Sequence, residues 1–308
     1  MDGYTSLLRL QELLQEDSTS TFIDTRTSYE YIWEAAQDFV ARTGCITGTQ
    51  DITTVAETST YDLEPDFMEL FLRDSNNEFV VKYYDTSAYT FIKHRAYDAV
   101  ITSNNTASTS IPWSFSIRDK RTDATAVTGT ATSDGAASGG ECTLTDSAAT
   151  FTCNPGDMVH NSTDGSHGIV LALTSTTAVV TALFGGTNND WTSSDAYTIM
   201  PQAMKQIILD PPSSTAGHTV TIEYIKRPHP VFSYYRSYRI PPQYMNAVLK
   251  YAAWLYKYRD REPSFGDAWY KYYDAQVERA MNSEIKAKAK TSFRVNMKKQ
   301  AYTDQSYR

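Results

Sequence analysis

The chain has 308 residues, of which 41% are hydrophobic and 21% charged, and it carries a formal net charge of −8 at pH 7. Composition of this kind is ordinary for a soluble globular protein, and the length suits two domains or one large domain with an insertion. No run of about 18 apolar residues is present to span a bilayer, which excludes the helical membrane classes.

Taken in order, the first ten residues, MDGYTSLLRL, have no basic stretch ahead of an apolar one, so a secretory signal peptide is not expected. Leu7, Leu8, Leu10, Leu13 and Leu14 share a stripe that predicts a first helix over residues 4–15. Thr27-Ser28-Tyr29-Glu30 resembles a capping box, and Tyr29, Ile32, Trp33, Ala36, Phe39 and Val40 continue as a second helix to Thr43, where Gly44 stops it. The period then changes from helical to alternating. Residues 50–57, 60–66, 78–84, 88–92, 111–117, 205–209 and 219–225 are rich in Val, Ile, Thr and Tyr and predict strands and hairpins. Residues 111–117 and 205–209 are the expected partners of one hairpin.

Between those two lies a stretch of different composition, residues 120–200. It is built of Thr, Ser, Gly, Ala and Asp, with turn signals at Asn154-Pro155-Gly156-Asp157, Asp164-Gly165-Ser166 and Gly185-Gly186-Thr187-Asn188. A small all-β barrel or sandwich inserted at a hairpin tip is the reading. Residues 240–290 return to helical spacing. Tyr244, Val248, Tyr251 and Leu255 share one face, and Trp269, Tyr272, Gln276 and Ala280 another; the short break at Glu262-Pro263-Ser264 makes the two an αα-hairpin. The predicted class is therefore α+β. Two N-terminal and two C-terminal helices form an α-helical bundle core with antiparallel β-hairpins over residues 1–119 and 201–290, residues 120–200 form the inserted domain, and residues 291–308 an extended basic tail.

Charge is divided along the chain. Residues 1–121 hold 19 acids and 10 bases, residues 122–200 hold 8 acids and no Lys or Arg, and residues 226–308 hold 17 bases and 7 acids. The cationic end suits an acidic partner, either nucleic acid or an acidic protein surface, unless its bases are solvated helix faces folded back on the acidic part. Catalytic signatures are missing: Ser138-Gly139-Gly140 lacks the Lys of a phosphate-binding loop, and no GxSxG, HExxH or dinucleotide fingerprint occurs. No enzyme and no cofactor are expected. His160 and His167 lie close in sequence to Asp157 and Asp164, which admits a metal site, but polar turn residues of a β-domain read the same and are preferred. Cys142 and Cys153 could face each other on neighbouring strands and oxidise. The stronger signal is the interleaving of aromatic and basic residues: Tyr234, Tyr235, Arg236, Tyr238 and Arg239, then Tyr251, Tyr256, Lys257, Tyr258 and Arg259, then Tyr270, Lys271, Tyr272 and Tyr273. Core packing weighs most for these, a protein interface next, and stacking on single-stranded nucleic acid least.

The order of short motifs resembles the head-to-tail connector (adaptor) proteins of tailed bacteriophages, the tail-tubular-protein-A-like group. The resemblance rests on Tyr61-Asp62-Leu63-Glu64-Pro65-Asp66, on Pro112 to Phe115, on Ile207 to Pro212 and on Ile240 to Tyr244 ahead of the aromatic helices. The middle segment is similar to a β-module of phage structural proteins through Phe151, Pro155-Gly156-Asp157, Val159, Asn161, Thr163-Asp164-Gly165-Ser166 and Gly185-Gly186-Thr187-Asn188-Asn189. The resemblance implies a structural virion protein at the vertex joining capsid and tail. Its copies would form a ring, commonly of roughly twelve, beneath the portal protein, extending the channel for packaged double-stranded DNA and offering a platform to tail proteins. Tyr251, Trp254, Tyr258, Trp269, Tyr272 and Tyr273 would then serve the core helices and subunit interface, and Lys286, Lys288, Lys290, Phe293, Arg294, Lys298 and Lys299 would reach the portal. The rival reading is a glycan-binding or fibre-anchoring virion protein that works through the β-insert.

Overall fold

A computed structural model describes residues 1–15, 24–74, 76–97, 99, 108–109, 111–120, 126–202, 204–259 and 266–282. Helix α1 (Gly3–Leu14) is capped by the Asp2 carboxylate, which accepts the Thr5 N–H at 2.7 Å. Helix α2 (Thr25–Thr43) is capped by Asp24 rather than by the expected box at Thr27. The Thr27 N–H reaches the Asp24 carboxylate at 3.3 Å, so the helix starts earlier than the sequence pattern places it. Gly44 ends it in the left-handed conformation, φ 62°, donating its N–H to the Val40 carbonyl.

Fourteen strands follow among the described residues. In the first sheet, β1 (Thr47–Thr53), β2 (Thr60–Asp62), β3 (Phe67–Leu70), β4 (Val80–Tyr84), β5 (Tyr89–His94) and β6 (Ser114–Asp119) combine with β13 (Lys205–Asp210) and β14 (Thr219–Lys226). Their order is β1-β14-β4-β5-β6-β13-β2, with β3 beside the far end of β14. The expected pairing of β6 with β13 is present, antiparallel, with Ile117 opposite Ile207 and Phe115 opposite Leu209. The two ends of this order approach each other through Gln50 of β1. Its amide donates to the Asp62 carbonyl and accepts the Glu64 N–H, both at 3.1 Å, so the sheet curls almost into a barrel. Ile52, Phe67, Val81, Phe115, Ile207 and Ile222 are among the side chains that fill its interior.

A second sheet comes wholly from residues 127–200. It contains β7 (Val127–Thr130), β8 (Cys142–Thr145), β9 (Met158–Asn161), β10 (Ser166–Ser175), β11 (Ala178–Phe184) and β12 (Ala196–Met200), in the order β7-β12-β9-β10-β11-β8. Here too the ends meet, since Thr132 just after β7 donates its N–H to the Thr145 carbonyl of β8 at 2.7 Å. Leu144, Phe151, Val159, Val170, Trp191 and Ile199 line the inside. Cys142 and Cys153, which the sequence allows to pair, are separate buried thiols, and burial pushes both up to about 11.

Helix α3 (Pro242–Arg259) and helix α4, residues 266–282, close the described chain. With α1 and α2 they share one cluster containing Leu10, Ile32, Phe39, Val248, Ala252, Tyr273 and Val277.

The expected architecture of a helical bundle core carrying a few hairpins and an appended domain is thereby corrected. The molecule is mostly β, with two curled sheets that each enclose their own apolar interior, and the helices form a separate packed group beside them. The reason is physical: a helical stripe says that a face is buried without saying against what. In the chain the second sheet lies between the paired strands β6 and β13, but it does not hang free of the rest. Its outer side chains Ile169, Leu171 and Ala182 pack against Tyr29 of α2 and Phe232, with Trp33 and Phe184 alongside.

Candidate interaction surface

Antiparallel packing of α3 on α4 stacks the aromatic residues that the sequence pattern picks out. Tyr251 and Trp254 lie one turn apart on α3 with ring centroids 5.4 Å apart, and Tyr258 continues the row 5.5 Å from Trp254. Across the hairpin, Tyr270 stands 4.9 Å from Trp254 and Tyr273 stands 4.5 Å from Tyr251. Close approach of the helices is helped at Gly266, where a Cβ would come within 2.9 Å of the Trp254 ring.

The row grades from core to surface. Tyr273 is fully buried in its own chain and donates its hydroxyl to the Asp38 carboxylate of α2. Burial first, and then that hydrogen bond, raise the Tyr273 phenol well above its ordinary range. Arg42 stands over the same ring at 5.7 Å and pairs with Asp274 at 2.6 Å, tying α2 to α4. Tyr251 and Trp254 are half-buried, whereas Tyr258 is 63% exposed and Tyr270 39% exposed. Trp269 and Tyr272, like Tyr251, pack against the helical cluster, and the Lys250 ammonium sits 3.5 Å from the Tyr272 ring centroid. Of the six helix residues singled out from sequence, Trp254 and Tyr258 thus lie on the outward row, Tyr251 joins that row to the helical cluster, and Trp269, Tyr272 and Tyr273 serve packing. Lys286, Lys288, Lys290, Phe293, Arg294, Lys298 and Lys299 lie outside the described residues.

The other aromatic and basic run has structural work. Arg236 grips Glu141 through two hydrogen bonds, Nε to Oε1 at 2.6 Å and a second at 3.3 Å, while the Ser233 hydroxyl donates to the same carboxylate at 2.5 Å. Tyr238 is fully buried, with its hydroxyl on the Val231 carbonyl. Tyr234 meets Tyr4 of α1 edge-on at 5.1 Å. Gly3 lies so close to the Ser233 carbonyl that a Cβ there would approach to 1.9 Å, so only glycine lets α1 dock on this loop. These contacts remove Arg236 and Tyr238 from any nucleic-acid platform. Sequence reasoning had no signal for Tyr4 or for Glu141, which stand apart from every periodic pattern.

The residues named for a metal site are separated by the fold. The Asp157 carboxylate is turned inward, accepting the N–H groups of Asn154 and Gln202 at 2.8 and 2.9 Å. That of Asp164 is taken up by the N–H groups of Thr187, Asn188 and Asn189. His160 and His167 remain on the outer face, stacked on each other. Among the described residues no group of three or more His, Cys, Asp or Glu comes together as a metal site, and no helix is long and apolar enough to cross a membrane. No family model matches the chain, and no curated protein matches it.

Proposed function

We propose that the chain is a structural virion protein, a head-to-tail connector whose copies associate side by side into a ring beneath the portal and carry the channel for packaged DNA toward the tail. The observation that supports this reading most is the outward aromatic row of Trp254, Tyr258 and Tyr270, rooted through Tyr251 in the buried Tyr273. Rigid aromatic side chains with a buried base and a free tip are what a protein interface uses as anchors, because little side-chain freedom is lost when they are covered. The motif order supports the connector class, and the 17 bases among residues 226–308 supply charge for an acidic partner.

The test is assembly. Purified chain mixed with its portal protein is expected to give closed rings in negative stain, and Tyr258→Ser combined with Tyr270→Ser is expected to abolish them while leaving the circular dichroism spectrum of the monomer unchanged. A chain that stays monomeric in sedimentation with and without portal, or rings unaffected by the double substitution, would count decisively against it.

A further inference from the structure

One face of the second sheet carries an arrangement that neither its core nor the proposed assembly uses. On β9, Met158 and His160 point outward, since Val159 between them lies in the core. Register places His167 of β10 directly opposite His160, and Met200 of β12 directly opposite Met158. Two imidazoles and two thioethers thus sit on three adjacent strands around one shallow concavity, floored by Val159 and edged by Thr198. The neighbouring part of the same face is covered by α2 and Phe232 through Ile169, Leu171 and Ala182, but this part is open: Met158 is 48% and Met200 58% exposed.

We propose that Met158, His160, His167 and Met200 form a binding site for a soft monovalent cation, copper(I). Thioether sulfur and neutral imidazole are the donors that copper(I) prefers over the hard cations held by carboxylates, and four of them match its tetrahedral habit. Strand geometry supplies the reach within each pair, because directly opposed residues on antiparallel strands lie about 5 Å apart. The histidine pair spans β9 and β10 and the methionine pair β9 and β12, two residues along, so the long, flexible thioethers lean across β9 to meet the imidazoles. The field favours a cation as well, with 8 acids and no Lys or Arg in residues 122–200. The two rings stack at 4.4 Å with planes 7° apart. Parallel rings cannot aim two lone pairs at one ion, so binding turns at least one imidazole. No hydrogen bond to another described residue holds either ring against that rotation, and the missing support makes the site weaker than one whose histidines are braced.

Cys45, Cys142 and Cys153 also attract copper(I), so the readout must be local. The full chain, labelled at its methionine methyl groups, is titrated without oxygen with copper(I) supplied as its acetonitrile complex. Met158→Leu and Met200→Leu assign the two signals. The expected result is that the Met158 and Met200 methyl signals and the His160 and His167 ring signals move together while the other methionines stay in place. The Met158→Leu/Met200→Leu and His160→Asn/His167→Asn double variants, which should keep the parent's metal-free melting midpoint, are each expected to bind at least about tenfold more weakly. Methyl signals of Met158 and Met200 that stand still while the thiols fill would overturn the site, as would a double methionine variant in which the two imidazoles bind with parent affinity.

Discussion

Tyr273 of α4 donates its phenolic hydrogen to Asp38 of α2, a contact that adds to its burial in anchoring the outward aromatic row to the helical core. Removing the hydroxyl leaves the ring in place and takes a charge-assisted hydrogen bond from a half-buried carboxylate that Arg42 also approaches, at 3.9 Å. Tyr273→Phe is expected to cost about 1–2 kcal/mol in urea denaturation. Tyr29 provides the control. Its buried hydroxyl has no partner among the described residues, so Tyr29→Phe is expected to be neutral or slightly stabilising. Equal losses at the two positions would show that ring packing, not the hydrogen bond, sets the result.

Glu141 holds the second sheet to the loop that follows β14. Its carboxylate receives Arg236 and Ser233, and its side chain is 19% exposed. Glu141→Gln keeps the shape but leaves Arg236 without its ion pair, which is expected to cost about 2 kcal/mol. Arg236→Lys in the parent keeps a cation opposite Glu141 and should lose less than Glu141→Gln. Denaturation midpoints measured for the three chains decide the order.

How much of this was legible beforehand depends on what each signal is able to report. The β6 and β13 pairing could be read because both runs are apolar, bounded by prolines and separated by a segment of different composition. The α3 and α4 hairpin could be read from spacing alone. Strands β7 and β8, made of Val, Thr, Gly, Cys and Leu in fours, carry no period long enough to detect, and β3 is hidden behind Pro65. The location of the cores could not be read, because Leu10 or Val248 would show the same stripe whether a helix or a sheet covered it. At the candidate surface the spacing selected the right aromatic residues, but only the fold turns Tyr273 inward to Asp38 and leaves Tyr258 outside. In the middle segment, proximity in sequence joined the histidines to Asp157 and Asp164, while alternation across the strands sends Asp157 inward and sets Met158 beside His160 instead.

Phe232 tests whether the second sheet and the helical group behave as one body. It is 4% exposed and meets Tyr29, Trp33 and Phe184 at centroid distances near 6 Å, given individually as 6.0, 5.9 and 6.1 Å. Phe232→Ala empties the centre of that contact and is expected to cost about 3–5 kcal/mol. Calorimetry should show one cooperative transition for the parent and, for the variant, a separate transition of the second sheet, which keeps its own interior of Leu144, Val159 and Trp191. A single transition shifted as a whole would mean that other contacts, such as Glu141 with Arg236, suffice to couple them.

Asp85 predicts an acid limb in the stability profile. It closes the turn between β4 and β5, where its carboxylate accepts the N–H of Ala88 at 2.8 Å, the N–H of Ser87 at 2.9 Å and the Ser87 hydroxyl at 2.7 Å. The Ala88 N–H first, then the Ser87 contacts, hold its pKa down to about 2, against 3.8 for the free side chain. A carboxylate whose folded pKa is depressed binds protons more readily in the unfolded chain, so its stabilising effect is complete above about pH 4 and disappears as the pH falls through about 2. Asp85→Asn is therefore expected to lower the melting midpoint at pH 7 and to converge on the parent between pH 4 and pH 2, within that same window. Melting curves for both chains across that range check the sign: a difference that stays constant with pH would show that the turn is held by shape and not by the ionised carboxylate.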